Sequence, residues 1–408
     1  MIARLLVIVV AMGLAASHVP AQTAGRAAVD AVLSAAVARG EIPAVVAIAT
    51  TRSGVIYEGA FGVADLPSGR PVRTDSLFRI ASMTKPVTSV ALMQLVEAGR
   101  LRLDDPASTY LPELRDITVV ERFDARTGAY TLRPAKQTIT VRHLLTHTGG
   151  FGYNFTSPIV RDFKPREGEQ YAAGPLVFEP GERWLYGSNS TWAGRLVETI
   201  SGQPLERYFR ERVFTPLGMR DTFYNVPDDK RARVVTVHRR TGDTAFTVEA
   251  VQPPLTIERP IGDGGLSSTA ADYARFLQML LNGGALGGAR VLSSETVALM
   301  GQNHIGTLTV PALKTAMPDR SFDWNILVNG GRDKWGLGFL IATSPPPGKR
   351  SPGSLSWGGI NNTYFWVDPA RGVAGAILMQ FLPFADPRAL AVHDAFERAI
   401  YRLAGPAS

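Results

Sequence analysis

A serine and a lysine three residues apart are the first groups in this sequence that could do chemistry. Ser82 and Lys85 lie directly ahead of an apolar run at residues 90–96. On a helix this spacing brings the amine over the hydroxyl. A lysine in a partly desolvated pocket can take the serine proton because burial disfavours its charged form, and the positive end of a helix favours an anion at Ser82. The spacing indicates a nucleophilic serine, although an ordinary helix start with a surface lysine has the same pattern.

A tyrosine and a glycine-containing strand could complete such a site. A tyrosine acts as a general base only where positive charge stabilises the phenolate, and Lys85 could supply that charge to Tyr186. Paired glycines at Gly358 and Gly359 let a ligand approach the strand backbone closely. An N–H from this edge and the N–H of Ser82 would form a two-donor oxyanion hole. The simpler alternatives are a half-buried aromatic residue and a β-bulge beside a core tryptophan.

The elements that must position these groups come from both ends of the chain. An Ala/Val pattern ended by glycine predicts a first helix, alternating or apolar runs predict strands, and an amphipathic pattern predicts a closing helix. Strands from both ends imply one sheet closed by N- and C-terminal segments. The predicted helices are 26–39 and 386–403, and the predicted strands are 43–50, 55–63, 336–342, 354–357, 362–368 and 373–380.

The middle of the chain has a different pattern, in which short helical segments alternate with Pro/Gly loops. His143 and His147 there suggest a metal site by their i, i+4 spacing, but no acidic third ligand is close in sequence, so we interpret both as structural. We predict an α+β fold, with an antiparallel sheet flanked by N- and C-terminal helices plus an all-helical domain. The sheet domain is assigned to 26–106 and 268–404, and the helical domain to 107–267.

Composition narrows the classes of function. The 408 residues are 45% hydrophobic and 19% charged, which is typical of a globular protein with a sizeable core. The net charge of +7 is spread along the chain without a basic arm, which argues against a nucleic-acid partner. The absence of cysteine excludes disulfides and thiol catalysis.

The N-terminus has the pattern of a secretory signal. Arg4 supplies the positive charge, residues 5–16 an apolar core too short to span a bilayer, and residues 19–21 a small-residue cleavage site. We therefore predict a signal peptide at 1–21, cleaved near Ala21, and a periplasmic or secreted protein. An anchor that is never cut is the alternative.

Five blocks together resemble the serine hydrolases related to class C β-lactamases, a group that includes D-Ala-D-Ala carboxypeptidases and β-lactamase-like carboxylesterases. The blocks are 78–85, 99–106, 139–150, 180–186 and 357–369, in family order within a resemblance that covers about 26–404. The resemblance implies Ser82 as the acylated nucleophile, Lys85 as its activating partner and Tyr186 as the general acid/base. It implies an oxyanion hole from the N–H groups of Ser82 and Ile360, in a groove of a β-lactamase/transpeptidase-like fold.

Two departures from the lactamase pattern favour esters as substrates. The Tyr-x-Asn motif is altered, because Ser188 stands where the asparagine is expected and Asn189 follows it. The Lys-Thr-Gly motif is replaced by a Trp-x-Gly motif that is similar to the esterase branch. The missing lysine removes a charge-assisted contact of about 1.5–3 kcal/mol to a lactam or peptide carboxylate. The predicted substrate-binding residues are Trp357, Gly358, Gly359, Ser188, Asn189 and Tyr153.

We therefore predict an exported serine hydrolase that cleaves small-molecule carboxylic esters through a Ser82 acyl-enzyme, without metal, cofactor, nucleic acid or stable membrane insertion. The alternatives at the same site are a β-lactamase, a D-amino-acid peptidase or an acyltransferase. An alternative of another class is a non-catalytic ligand- or peptidoglycan-binding relative. An α/β-hydrolase esterase is disfavoured because the sequence contains no Gly-x-Ser-x-Gly pentapeptide.

Overall fold

The computed structural model describes residues 18–324 and 331–405. Its helices in those ranges are α1 His18–Ala38, α2 Thr84–Glu97, α3 Val141–Thr146, α4 Pro158–Asp162, α5 Asn189–Ser201, α6 Leu205–Phe209, α7 Thr215–Leu217, α8 Ala270–Leu281, α9 Ser294–Met300 and α10 Pro387–Ala404. Its strands are β1 Ala44–Thr51, β2 Val55–Asp65, β3 Arg70–Pro71, β4 Phe78–Arg79, β5 Thr118–Phe123, β6 Tyr130–Pro134, β7 His238–Arg240, β8 Phe246–Val248, β9 Ser267–Ser268, β10 Ala285–Leu286, β11 Ala289–Arg290, β12 Lys334–Trp335, β13 Leu340–Ile341, β14 Leu355–Gly359, β15 Thr363–Asp368, β16 Val373–Leu378 and β17 Phe381–Leu382.

One eight-stranded sheet joins the two ends of the chain. Its strand order is β12-β13-β14-β15-β16-β1-β2-β3, and every pairing in it is antiparallel. The first strand pairs with a late one in a register that sets Val46 opposite Leu378 and Thr51 opposite Val373. This arrangement confirms the prediction of a sheet closed by N- and C-terminal segments.

Side chains on β15 alternate between the two faces of this sheet. Tyr364 and Trp366 stack on His393 of α10, with ring centroids 5.2 and 5.8 Å apart. Phe365, between them, meets Tyr273 of α8 with a centroid distance of 5.5 Å. Because successive residues of a strand point to opposite faces, the sheet is buried on both, between α8 on one side and α1 with α10 on the other.

Helix α2 is the core helix that follows the candidate serine. Eleven of its fourteen residues are buried, including Lys85. A helix buried on nearly all sides belongs to the interior of a fold rather than to its surface. It packs on α5 from the middle of the chain, while the turn ahead of it meets β14 of the sheet. The helix therefore links the sheet to the central region.

The region at 107–267 is rich in short helices, α3 to α7, but it is not all-helical. It also contains the hairpins β5–β6 and β7–β8. Strand β5 carries two adjacent charged residues and has a register shift, and β8 is largely exposed, so neither shows the apolar alternation that predicts a strand. Whether 107–267 and the sheet region are separate domains stays a prediction.

The predicted signal segment, 1–21, lies mostly outside the described residues, which start at His18, the first residue of α1. Its cleavage near Ala21 stays a prediction. Among residues 18–324 and 331–405, none of the helices combines the length and apolar character that a membrane crossing requires.

Candidate active site

Ser82 lies in a single 3₁₀ turn, Ala81–Met83, directly ahead of α2. The sequence analysis placed it at the start of the α-helix, which instead begins at Thr84. The preceding residue, Ala81, has a φ of 47°, a left-handed conformation that costs a non-glycine residue about 1–3 kcal/mol. The turn is held on both sides, since Ile80 N donates to the Leu266 carbonyl and the Tyr273 hydroxyl to the Met83 carbonyl, both at 3.0 Å.

Lys85 points back at the serine as its spacing predicts. Its Nζ lies 3.2 Å from Ser82 Oγ and donates to the carbonyl oxygen of Asp263 at 2.6 Å. The side chain is 1% exposed, whereas Ser82 is only half-buried. The amine is thus fixed between the serine and a backbone carbonyl from a segment about 180 residues further along the chain. The serine hydroxyl remains open to a substrate.

Tyr186 is brought to the same point from the centre of the chain. The Lys85 amine lies 4.9 Å from the centroid of its ring, and the phenol oxygen accepts a hydrogen bond from Trp357 Nε1 at 3.3 Å. Its backbone is held by Thr156, whose hydroxyl donates to the Tyr186 carbonyl at 2.7 Å. Within the described residues the phenol accepts this hydrogen bond and donates none to the protein.

A second tyrosine, Tyr153, lies on the same amine but has a different role. Its ring centroid is 5.2 Å from Lys85 Nζ, and its hydroxyl donates to the Asp263 carboxylate. Burial, together with the Asp263 charge, holds the pKa of Tyr153 well above its usual value. Tyr153 therefore keeps its proton and positions Asp263, whose own carbonyl holds Lys85.

Ser188 and Asn189, which follow Tyr186 and Gly187, differ in how deeply they are buried. Ser188 is half-buried at the start of α5. Asn189 is fully buried, and its amide lies 3.2 Å from Nδ1 of His147. Burial and the nearby Lys85 charge hold the pKa of His147 well below its usual value, so the imidazole is neutral. Asn189 thus contacts His147, whose ring packs against Tyr186 with the two ring centroids 5.0 Å apart.

His143 has the structural role that the sequence indicated. Its Nδ1 accepts a hydrogen bond from Thr140 N at 3.2 Å, and the Thr140 hydroxyl accepts one from His143 N at 3.2 Å. This reciprocal cap begins α3. Among residues 18–324 and 331–405, no three His, Asp or Glu side chains gather as a metal site requires.

The glycine strand comes very close to the serine turn. A Cβ built on Gly359 would lie 2.3 Å from the carbonyl oxygen of Ile80, a contact that only glycine avoids. Two residues later, the Asn361 amide donates to the Arg79 carbonyl at 3.2 Å. These contacts fix Ile360 beside Ala81, and both residues line one cavity. The strand is not a full edge strand, because β13 pairs with Leu355 and Ser356 and leaves only its last residues free on that side.

The structure thus brings together the predicted residues Ser82, Lys85, Tyr186, Trp357 and Tyr153, with Gly358, Gly359 and Ile360 on the adjoining strand. Sequence reasoning missed Asp263 as the holder of Lys85, because its contribution is a backbone carbonyl that any residue could supply. It also missed Trp324, whose ring lies 5.4 Å from Tyr186 and 5.7 Å from Trp357. No local pattern links these residues to Ser82.

Known proteins share this architecture along nearly the whole chain. Monacolin J acid methylbutanoyltransferase of Aspergillus terreus is 32% identical over 90% of this chain and 93% of its own. Lovastatin esterase of Penicillium rubens is 31% identical over 91% and 98%. The unliganded structure of simvastatin synthase (LovD) from Aspergillus terreus matches with a TM-score of 0.78 and 29% identity, over 92% of this chain and 98% of that one.

A family model described as Beta-lactamase matches residues 29–399, and therefore takes in the sheet, α2 and the whole cluster around Ser82. The fold is accordingly of the β-lactamase/transpeptidase-like type that the sequence predicts. With both the family model and relatives of more than 30% identity spanning the site, the chain belongs to the Beta-lactamase family, whose fold serves serine hydrolases and acyltransferases.

Proposed function

We propose that this protein is a serine hydrolase that cleaves carboxylic esters through an acyl-enzyme on Ser82. The observation that carries the proposal is the hydrogen bond of 3.2 Å between Ser82 Oγ and the buried amine of Lys85, with Tyr186 packed against the same amine. A nucleophile beside a base that is held in place by other groups is the arrangement that covalent acyl transfer requires.

In the proposed first step, Ser82 Oγ attacks the ester carbonyl and its proton passes to the Lys85–Tyr186 pair. The carbonyl electron pair moves to the oxygen, which the N–H groups of Ser82 and Ile360 stabilise. The intermediate then collapses, the bond to the alkoxy oxygen breaks, and Tyr186 protonates the departing alkoxide. Water attacks the acyl-enzyme in the second step, releases the acid and returns a proton to Ser82.

An ester is favoured over a lactam by the groups around the phenol. Trp357 occupies the position of the lysine in the lactamase motif, and its indole N–H donates to Tyr186. An indole provides no positive charge for a substrate carboxylate. Asn189, the displaced amide of the second motif, is fully buried and its amide is engaged with His147.

Transfer of the acyl group to a hydroxyl other than water is the second candidate function. Its support is the activity of two relatives, of which one is a methylbutanoyltransferase and the other an esterase. Hydrolysis and transfer share the acyl-enzyme and differ only in the second nucleophile. Tyr153, Phe155 and Trp324 form an aromatic wall beside Tyr186, where an alcohol of some size would pack.

The test is turnover of p-nitrophenyl butyrate, with intact-mass detection of the acyl-enzyme. Ser82→Ala should abolish both turnover and the mass increase, and Lys85→Ala should be similarly severe because the two residues act as a unit. Unchanged turnover in the Ser82→Ala variant would refute the proposal. A rate constant for nitrocefin well above that for the ester would favour a β-lactamase. Failure of a fluorophosphonate probe to label Ser82 would favour the non-catalytic alternative.

Export is part of the proposal and rests on the sequence alone. Expression of the full chain in a bacterial host, followed by fractionation and N-terminal sequencing, tests it. Mature protein that begins close to residue 22 in the periplasm or medium is expected. Uncut protein in the membrane fraction would favour the anchor.

A further inference from the structure

A small cavity of about 220 Å³ adjoins the serine turn, which contributes Ala81 to its lining. Ala81, which precedes the nucleophile, and Ile360, from the glycine strand, form its inner end. The residues of the proton-transfer side, Lys85, Tyr186 and Trp357, do not line it. The cavity therefore lies next to the candidate oxyanion hole and is bounded by other residues than those of the proton-transfer side.

The free surface of this cavity is apolar. Its walls carry the aliphatic side chains of Val237, Val251, Ile257, Leu266, Ile360 and Leu382. Three charged residues also line it: Arg79 and Glu249, which are both paired, and Arg320 on the solvent side.

Arg79 donates to the Ser267 hydroxyl and to the carbonyls of Pro253 and Pro254. The Glu249 carboxylate is paired with Arg239. These two charges are therefore engaged within the protein and do not face a ligand from the cavity wall. The solvent side is marked by Val251, which is 79% exposed, and by Arg320, also exposed.

The geometry of the reaction decides which half of an ester this cavity receives. The alkoxy oxygen must face Tyr186, because that group protonates it, and the carbonyl oxygen must lie between the two N–H donors. The remaining substituent on the carbonyl carbon is the acyl chain, which must point away from Tyr186. From these positions we infer that the cavity beside Ala81 and Ile360 is the acyl-binding pocket, and that it selects apolar acyl groups of medium length.

The volume sets the length. At about 30 Å³ for each water-sized group, the cavity holds roughly seven such groups, which corresponds to acyl chains of about four to eight carbons. Each methylene buried there should raise kcat/KM by up to about fourfold until the pocket is full.

Ile257 is the residue best placed to alter the length limit. It is half-buried, and its Cδ1 lies 3.0 Å from the position of a Cβ built on Gly265, so it packs directly on the turn at the end of the cavity. Its backbone N–H is held by the Asn225 side chain at 2.6 Å, a contact that a side-chain replacement leaves in place. Ile257→Ala should lengthen the pocket and Ile257→Trp should shorten it.

This inference rests on the proposed function, and the experiment separates the two. The kcat/KM values of p-nitrophenyl acetate, butyrate, hexanoate, octanoate and laurate are compared for the wild type, Ile257→Ala, Ile257→Trp and the control Ile200→Ala. Ile200 is an equally half-buried isoleucine at the far end of α5. The wild type should prefer butyrate or hexanoate over acetate and laurate by tenfold or more. Ile257→Ala should move the optimum to longer chains, Ile257→Trp should move it to acetate, and the control should leave it unchanged.

Three results would overturn the inference. A flat wild-type profile, or one unchanged in both Ile257 variants, would mean that the acyl group lies elsewhere, while the acyl-enzyme on Ser82 would still stand. A second series, which keeps the butyryl group and varies the alcohol, would identify the cavity as the alcohol site if only this series responded to Ile257. Absence of any acyl-enzyme would refute the proposed function, and with it the assignment of this cavity as the acyl-binding pocket.

Discussion

Replacing Gly359 by alanine should damage catalysis far more than it damages the fold. The added Cβ would lie 2.3 Å from the Ile80 carbonyl oxygen and 2.4 Å from the Thr363 hydroxyl oxygen. The first contact is about 1 Å shorter than the separation at which such atoms attract each other. The carbonyl belongs to the backbone ahead of Ser82, so β14 and the serine turn must move apart by about that amount.

The size of the effect follows from this displacement. Overpacking of a buried position costs about 1–3 kcal/mol of stability, which leaves the protein folded. A misplacement of 1 Å at a reacting centre costs about 100-fold, and the loss of one oxyanion donor costs about 100- to 1,000-fold. We therefore expect kcat/KM to fall by about 100-fold, or ~2.7 kcal/mol of transition-state stabilisation.

The assay is kcat/KM on p-nitrophenyl butyrate together with the melting temperature. Gly54→Ala is the matched control, because Gly54 lies in the β1–β2 turn of the same sheet and a Cβ there meets nothing within 4 Å. Gly358→Ala probes the opposite face, where the Cβ would meet Tyr364 rather than the serine turn. Gly358→Ala should lower the melting temperature and cause a smaller loss of kcat/KM than Gly359→Ala. A folded Gly359→Ala protein within threefold of wild-type kcat/KM would refute the reasoning about this strand.

Three further predictions concern the phenol and the α10 interior. Tyr186→Phe should lower kcat by about 100- to 10,000-fold because the exchangeable proton is lost. It should also cost about 1–3 kcal/mol of stability because the buried Trp357 N–H loses its acceptor; a loss of kcat below tenfold would assign the proton transfer to another group. Burial lowers the pKa of His393 from 6.5 to about 4. The unfolded chain therefore binds this proton first, so stability is full above about pH 6.5 and decreases by on the order of 3 kcal/mol as the pH falls to about 4. Urea unfolding at pH 7 and pH 4.5 should show a smaller difference in His393→Gln, and an equal difference would exclude His393 as the cause. Glu397→Gln should cost about 3–5 kcal/mol, because Arg350, which pairs with it at 2.8 Å and is 8% exposed, is left buried without its countercharge; a loss below 1 kcal/mol by urea unfolding would contradict this.

The parts of the fold that the sequence predicted are those with strong local patterns. The apolar runs of β15 and β16 and the glycine stop after α1 all carry their signals within a few residues. Ser82 and Lys85 were found in the same way, because one helical turn joins them.

The parts of the fold and of the site that the sequence did not predict depend on contacts between distant segments of the chain. Lys85 is held by a carbonyl at Asp263, and the aromatic wall includes Trp324, neither of which has a local signal. Asn189 was expected to meet the substrate on the basis of its position in the motif, but its amide turns to His147. The hairpin β5–β6 escaped prediction because its exposed, charged strand lacks an apolar face.

The pairing of β1 with β16 also governs when activity can arise during synthesis. Strand β1 can pair with β16 only after more than three hundred further residues have been made. In a nascent chain on the ribosome, the edge of β1 that will pair with β16 is therefore unpaired. Until β16 has been made, this edge can pair with other chains, and a chaperone or rapid completion of synthesis would limit such pairing. The glycine strand that faces the serine turn is also made late, so the site around Ser82 is complete only when most of the chain has been synthesised.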